Sequence, residues 1–294
     1  MATTLFGVAG WSYPDWAGIV HPARLRGGPA LLAHVGAYVD VVEINVTFYR
    51  PVDAATTARW AAVAVGPADL SFVAKLHQDH THGPREAVVP AALAPFAASL
   101  QPLVRAGRLH AVLAQLPVTA RATPAEQRRV RAVVEGLAPL PVALEVRHRS
   151  WLAPRVLADL GALGVSLVHP DMPWASDHLP EEAPVLGGLG YLRLHGRNRA
   201  AWFRRGAGRD ERYDHLYGPR EVEDLLARVR RLEGASDRVL VIGNNHPRGQ
   251  ALATVLEMKA RHQGGPVPAP ASLVEHFPHL GPWVAPAGQL GLFS

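Results

Sequence analysis

The sequence predicts an α/β chain folded as a single-domain TIM-like (β/α)8 barrel, and three observations carry that prediction. Eight short apolar runs have strand character, and most are followed by a segment whose apolar residues recur at helical spacing. Nearly every run starts apolar and finishes polar, as expected when chemistry sits where barrel strands end. The third observation is length: 294 residues, 48% of them hydrophobic, hold one barrel of roughly 250 residues and a tail, with no Pro/Gly/Ser-rich break before about Gly264. The expected division is a barrel over residues 1–263 and an irregular Pro/Gly-rich C-terminal tail over 264–294.

Composition removes several classes of function. The chain has no Cys, which excludes disulfides and thiolate chemistry. It has no run of about 18 apolar residues to span a membrane, so no membrane partner is expected. Its first residues lack the basic-then-apolar pattern of a signal peptide, which makes cytoplasmic the expected location. The formal net charge is +5 and nearly all cations are Arg, since Lys occurs only at Lys75 and Lys259. Such a balance suits an anionic partner, and an Ala-, Arg- and Pro-rich composition produces it equally well.

The expected strands run Leu5–Tyr13, Val41–Arg50, Ser71–Gln78, Ala111–Pro117, Val142–His148, Ser166–Asp171, Tyr191–Gly196 and Arg238–Asn245. The first ends in Gly10-Trp11-Ser12-Tyr13, where the aromatics either cap the core or form a stacking wall for a ring or base. A helix over about Pro29–Val39 follows, spacing Leu31, Leu32, Val35 and Val39 on one face. The second run, VVEINVTFYR, is bounded by Asp40 and Pro51 and sets Glu43, Asn45 and Thr47 on one face of a buried strand. A carboxylate there is costly unless it has a partner or a task. Asp53 is the expected cap of the next helix, which buries Trp60 and Val63.

In the third strand Lys75 and His77 share a face, with Lys75 expected close to Glu43, either as a structural ion pair or as a functional group. The fourth offers Gln115, and Thr123-Pro124-Ala125-Glu126 reads as a capping box with Pro in the first helical position. The fifth places Glu145 and Arg147 on one face with His148 at its end, and the sixth contributes His169 and Asp171. The helix after it is the weakest of the eight, and Pro173, Pro180 and Pro184 suggest an extended loop there. The seventh carries Arg193 and His195, and the eighth hands over at Asn244-Asn245 to a helix whose first turn holds Pro247 and Gly249.

Phosphate in such barrels commonly binds between the loops after strands seven and eight and a helix N-terminus, so Gly196 and Gly249 are expected to admit an oxyanion, although an Asn-capped helix start uses the same residues. The loop after strand seven interleaves Arg197, Arg199, Arg204, Arg205, Arg209 and Arg212 with Trp202, Phe203, Tyr213 and Tyr217. That pattern suits nucleic acid, or a solvated loop pinned by its aromatics.

Eight motifs in order, GVAGWSYPDW, VEINVTFYR, FVAKLHQDHTH, LAQLP, LEVRHRSW, YLRLHGR, RYDHLY and NNHPRGQALA, resemble the domain of unknown function 72 (DUF72, or YecE-like) family over about residues 5–260. The resemblance implies a TIM-like barrel. By position the family's characteristic polar residues fall on Glu43, Asn45, Tyr49, Lys75, His82, Gln115, Glu145, Arg147, His148, Trp151, Arg193, His195 and Asn245, and the resemblance implies architecture more than activity. A second likeness lies in Gln289, Leu290, Leu292 and Phe293, which are similar to the Gln-Leu-x-Leu-Phe peptide with which bacterial replication and repair proteins hold the DNA sliding clamp. There Leu and Phe would fill apolar pockets while Gln orients the peptide. An apolar segment that folds back on the barrel is the alternative.

The function expected from these residues is an enzyme acting on a phosphate-bearing small molecule or nucleic acid by acid/base chemistry at the C-terminal mouth of the barrel. In it Glu43, Lys75, Glu145 and His195 are the catalytic candidates. Trp11, Asn45, Tyr49, His82, Gln115, Arg147, His148, Arg193, Gly196, Asn244 and Asn245 are the substrate-binding ones, with Lys75, Arg147 and Arg193 holding anionic oxygens. No cofactor is called for. A metal-dependent isomerase- or endonuclease-like barrel would draw on Glu43, Glu145, Asp171, His169 and His195, yet Lys75, Arg147 and Arg193 would compete with a cation for those faces. A non-catalytic adaptor for nucleic acid or the clamp, and a paired-carboxylate glycosidase, are further alternatives. The clamp expectation has a direct check: removing residues 289–294 abolishes clamp binding in a pull-down while the thermal midpoint is unchanged.

Overall fold

The computed structural model describes residues 2–63, 70–84 and 88–286. Eight parallel strands close into a barrel in sequence order: β1 (Thr3–Ala9), β2 (Val41–Ile44), β3 (Ser71–Lys75), β4 (Leu109–Gln115), β5 (Val142–Glu145), β6 (Ser166–Asp171), β7 (Leu189–Leu194) and β8 (Arg238–Gly243), with β8 pairing back to β1. Alternation along each strand divides the apolar residues between two cores. Val42, Ile44, Phe72, Val112 and Leu144 face outward into the helix layer, whereas Val41, Val73, Leu113, Ala143, Val168, Tyr191 and Ile242 form a separate buried cluster that fills the lumen. The inward positions above that cluster are Glu43, Lys75, Gln115, Glu145 and Arg193, so the lumen is apolar below and charged at the C-terminal mouth.

Two elements depart from the sequence expectation, and a third, the segment after β6, follows it. The run Val41–Arg50 is a strand only as far as Ile44, and Val46–Tyr49 is a short helix. The Thr47 hydroxyl stabilises that turn by donating to the Ile44 carbonyl at 2.9 Å and the Lys75 carbonyl at 2.6 Å. Glu43, Asn45 and Thr47 therefore do not share one strand face; strand propensity here yields to a local side-chain bond that takes the backbone into a helix. Between β6 and β7, residues 172–188 contain no helix, consistent with three prolines that break the helical ladder. Beyond 264, β9 (Val267–Ala269) and β10 (Val284–Pro286) pair in parallel, and Leu273, Phe277 and Leu280 are buried against the barrel's outer core. Two expected caps are present: Asp53 accepts from the Thr56 amide and Thr123 from the Glu126 amide. Among the described residues no helix is long and apolar enough to cross a membrane.

Gly7 sets the closest approach in the barrel. A Cβ there would lie 1.8 Å from the Val41 carbonyl oxygen, a distance that backbone on both sides forbids. Gly7→Ala is expected to push β1 from β2 and lower stability by about 1–3 kcal/mol, read from the midpoint of urea unfolding.

Candidate functional site

The inward residues at the strand ends meet in one buried network. Arg193, 1% exposed, lies at its centre and uses all five of its N–H groups. Nε donates to Glu43 Oε2 at 2.8 Å and Nη2 to Glu43 Oε1 at 2.6 Å, a two-point clasp. Nη1 donates to Glu145 Oε2 at 2.9 Å and Gln115 Oε1 at 3.1 Å, and Nη2 also reaches Asn244 Oδ1 at 3.1 Å. The Tyr191 hydroxyl donates to Glu43 Oε2 at 2.5 Å. Arg147 closes the far side, its Nε and Nη2 donating to Glu145 Oε1 at 3.2 and 3.0 Å.

His195 completes the ring. Its Nε2 stands 3.1 Å from Glu145 Oε1, and its Nδ1 stands 3.1 Å from Asn244 Nδ2. Burial pushes its pKa down to about 4 against the pull of Glu145, so the ring is neutral, donating through Nε2 and accepting from Asn244. Burial would raise the Glu145 carboxyl, but His195, Arg193 and Arg147 overcome it and hold the group well below the usual carboxylate range. Two carboxylates and two guanidiniums thus cancel in charge, and each carboxylate oxygen is occupied. Glu43 and Glu145 were expected to move protons and Arg193 to hold a substrate anion; their bonding is spent within the protein.

Lys75 is the exception. It is 8% exposed, its Nζ lies 4.0 Å from the centre of the Phe48 ring, and among the described residues no carboxylate comes within 4 Å to form an ion pair with it. Burial, with Arg193 and then Arg147 opposed by Glu43 and Glu145, brings its pKa from an ordinary 10.5 to about 7. Lys75 lines a small cavity of about 40 Å³ with Tyr13, Asn45, Tyr213, Asn244 and His246. Tyr13, Asn45, Tyr49 and Arg209 also line a neighbouring groove of about 490 Å³, whose lining includes Arg50 and Arg59 and no carboxylate.

The remaining expected residues divide. Trp11 packs edge-on against Trp60 and donates to the Gly28 carbonyl, forming a wall of the groove. Tyr49 is exposed and accepts from Arg209 at 3.0 Å. His82 stands edge-on to the Phe48 ring, with burial lowering its pKa to about 4, and does not line the cavity. His148 caps the turn Arg149–Leu152, accepting from the Ser150 amide, and contacts Arg121. Trp151 is fully buried and donates to the Ala120 carbonyl at 3.0 Å. Asn245 donates to the His215 carbonyl at 2.8 Å.

The place expected for phosphate is taken by protein groups. The Gly196 amide donates to the Tyr217 hydroxyl at 2.9 Å. The Arg248 amide, before the final barrel helix Gln250–Gln263, donates to Asp15 at 2.6 Å, and Gln250 donates to Asp214 at 2.8 Å. Gly249 has φ +81°, and a Cβ there would meet Val20 at 2.7 Å, so this glycine serves packing. Nor do the alternative metal ligands assemble: among the described residues no group of three His, Asp or Glu could hold an ion, and Asp171 is clasped by Arg197 and Arg228. Gln289, Leu290, Leu292 and Phe293 lie outside the described residues.

Sequence reasoning left Tyr191 and His246 unassigned. Tyr191 was detectable, since it precedes Arg193 and His195 at the same alternation. His246 follows β8, and only the fold brings it to the cavity that Lys75 lines.

Fold and site together define a (β/α)8 barrel protein whose C-terminal mouth holds a charge-balanced polar network beneath an arginine-lined groove. A family model described as "Protein of unknown function DUF72" matches residues 5–273, and the chain belongs to that family. It is 26% identical over 264 residues to the UPF0759 protein YunF of Bacillus subtilis (strain 168), covering 83% of this chain and 89% of that one. A DUF72 family protein from Thermotoga maritima MSB8 superposes with a TM-score of 0.78 at 27% identity, covering 89% of this chain and 99% of the other. One from Enterococcus faecalis V583, at 24% identity and a TM-score of 0.78 over 89% and 96% of the two chains, shows the shared fold.

Loss of the central guanidinium is the severest test of the network. Arg193→Met leaves two buried carboxylates short of their counter-charge and is expected to cost about 3–5 kcal/mol in urea unfolding. Arg193→Lys recovers little of it, because one ammonium cannot reach both carboxylates, Gln115 and Asn244.

Proposed function

We propose that this protein is an enzyme that binds a phosphate-bearing substrate in the arginine-lined groove and transfers a proton through Lys75 at the barrel mouth. The observation that carries this reading is the lone amine: Lys75 is buried over the Phe48 ring beside two carboxylates already bound by two guanidiniums, so the pull of Glu43 and Glu145 toward its charged form is outweighed. A base with a pKa near 7 matches the operating range of proton transfer. Arg50, Arg59 and Arg209 supply the positive lining for the anion, and Trp11 and Tyr49 the walls for its body.

The nucleic-acid form of the substrate draws support from the loop after β7, where Phe203 is 52% exposed with the Arg199 guanidinium 5.5 Å from its ring. The sliding clamp is proposed as a partner on the sequence of Gln289–Phe293 alone.

Reductive ¹³C-methylation labels the two lysines and the α-amine, Lys75→Met and Lys259→Arg assign the three NMR signals, and the Lys75 signal is expected to titrate at about 7. Titration near the ordinary 10.5 would remove the base from the proposal. Between about 7 and 10.5 the unfolded chain holds a proton that the folded Lys75 lacks, so stability rises as pH climbs through that window and the amine destabilises most below 7. Lys75→Met is accordingly expected to raise the thermal midpoint at pH 6 by about 2 °C or more and to have little effect at pH 10.

A further inference from the structure

We infer that Lys75 is also a nucleophile, forming an imine with an aldehyde or ketone that carries an anionic group. The inference deepens the reading above and rests on it for the anion. All but two of the 30 Lys plus Arg residues are Arg, and Lys259 is explained by its 2.7 Å bond to Asp40. The other lysine stands in the barrel mouth, where a guanidinium could hold an anion but could not attack a carbonyl. Its amine meets the Phe48 ring rather than a carboxylate and lines a cavity of about 40 Å³, room for a carbonyl group and little more.

The polar atoms around that cavity are short of partners. His246 is 4% exposed, and neither ring nitrogen has a hydrogen bond among the described residues; its Nε2 approaches Asp210 at 3.5 Å without hydrogen-bond geometry. The Asn45 side-chain oxygen is likewise buried and unpartnered. Buried polar atoms left without partners are costly, and several around one cavity are what a bound polar group would satisfy. His246 is held in place by stacking on Tyr13, ring centres 4.3 Å apart and planes within 5°. Burial keeps it neutral, with one nitrogen to accept a proton and the other to donate one.

The step balances without a redox partner. The neutral Nζ forms a bond to the carbonyl carbon as the C=O π pair moves to oxygen, and one amine proton is relayed to that oxygen, giving a carbinolamine. The second amine proton follows, the C–O bond breaks, and the oxygen leaves as water, so that carbonyl and amine become imine plus water. In this scheme His246 and Asn45, which line the same cavity, relay the two protons and accept from the hydroxyl, respectively. The resulting C=N bond draws electrons from the neighbouring carbon, which fits cleavage or proton loss beside a carbonyl.

The test uses pyridoxal 5′-phosphate, an aldehyde with a phosphate, and pyridoxal, the same aldehyde without it, each trapped with borohydride on the intact protein and located by peptide mass mapping. At pH 7.5, Lys75 is expected to be trapped at least about tenfold faster than Lys259, and faster by the phosphorylated aldehyde than by pyridoxal. Arg59→Ala is expected to erase the preference for the phosphate and to leave trapping by pyridoxal in place. Equal trapping of Lys75 by both aldehydes would uphold the nucleophile and sink the anion groove. If neither aldehyde labels Lys75 ahead of Lys259, the imine is overturned, while proton transfer is still judged by the titration of Lys75.

Discussion

One guanidinium between two buried carboxylates is the constraint on which the barrel mouth depends. Arg193 rises from β7 into the lumen and binds Glu43 from β2, Gln115 from β4, Glu145 from β5 and Asn244 after β8. Removed from water, any one of these groups is a large cost; assembled, each satisfies the others. The network therefore ties strands from all sides of the barrel at the level where the lumen passes from apolar to polar, and it fixes His195 as a neutral ring through Glu145 and Asn244.

That closure determines what chemistry remains. Residues that look most catalytic in the sequence, the two glutamates and the arginine of β7, are bonded to one another, and with Arg147 their charges cancel. Lys75 is left over, buried and, among the described residues, without a carboxylate in ion-pair contact. The same logic governs anions. Asp15, Asp214 and Tyr217 satisfy the amides and side chains after β7 and β8, where a phosphate cup was expected, whereas Arg50 and Arg59 line the groove beside β1 and β2. The loop that follows β7 is anchored by the Asp171, Arg197 and Arg228 cluster and leans Tyr213 and Trp202 toward His195, shielding the network from water.

Much of this was legible in the sequence, for reasons that can be traced to particular residues. The eight runs and their polar ends announced a barrel, because a parallel sheet buried on both faces demands continuous apolar strands and tolerates polar groups only at the rim. Glu43, Lys75, Gln115, Glu145 and Arg193 stood out by their expense in such strands as candidates for a shared cavity, and all five are buried at the barrel mouth. Less legible was VVEINVTFYR, whose β-branched residues suggested a long strand. Its turn at Asn45 depends on the Lys75 carbonyl, which lies 28 positions beyond Thr47 in the chain. His246 and Asp15 carry no local pattern that marks them; each matters only through a neighbour brought by closure of the barrel.

The sequence by itself determined the alternation of strand and helix and the set of ionisable groups sent inward, because burial preference and side-chain periodicity act locally and need no knowledge of partners. Only the tertiary structure decided which of those groups are spent on one another and which is left free. Pairing is a matter of a few tenths of a nanometre across the lumen, between residues as far apart as Glu43 and Arg193, and no spacing along the chain encodes it.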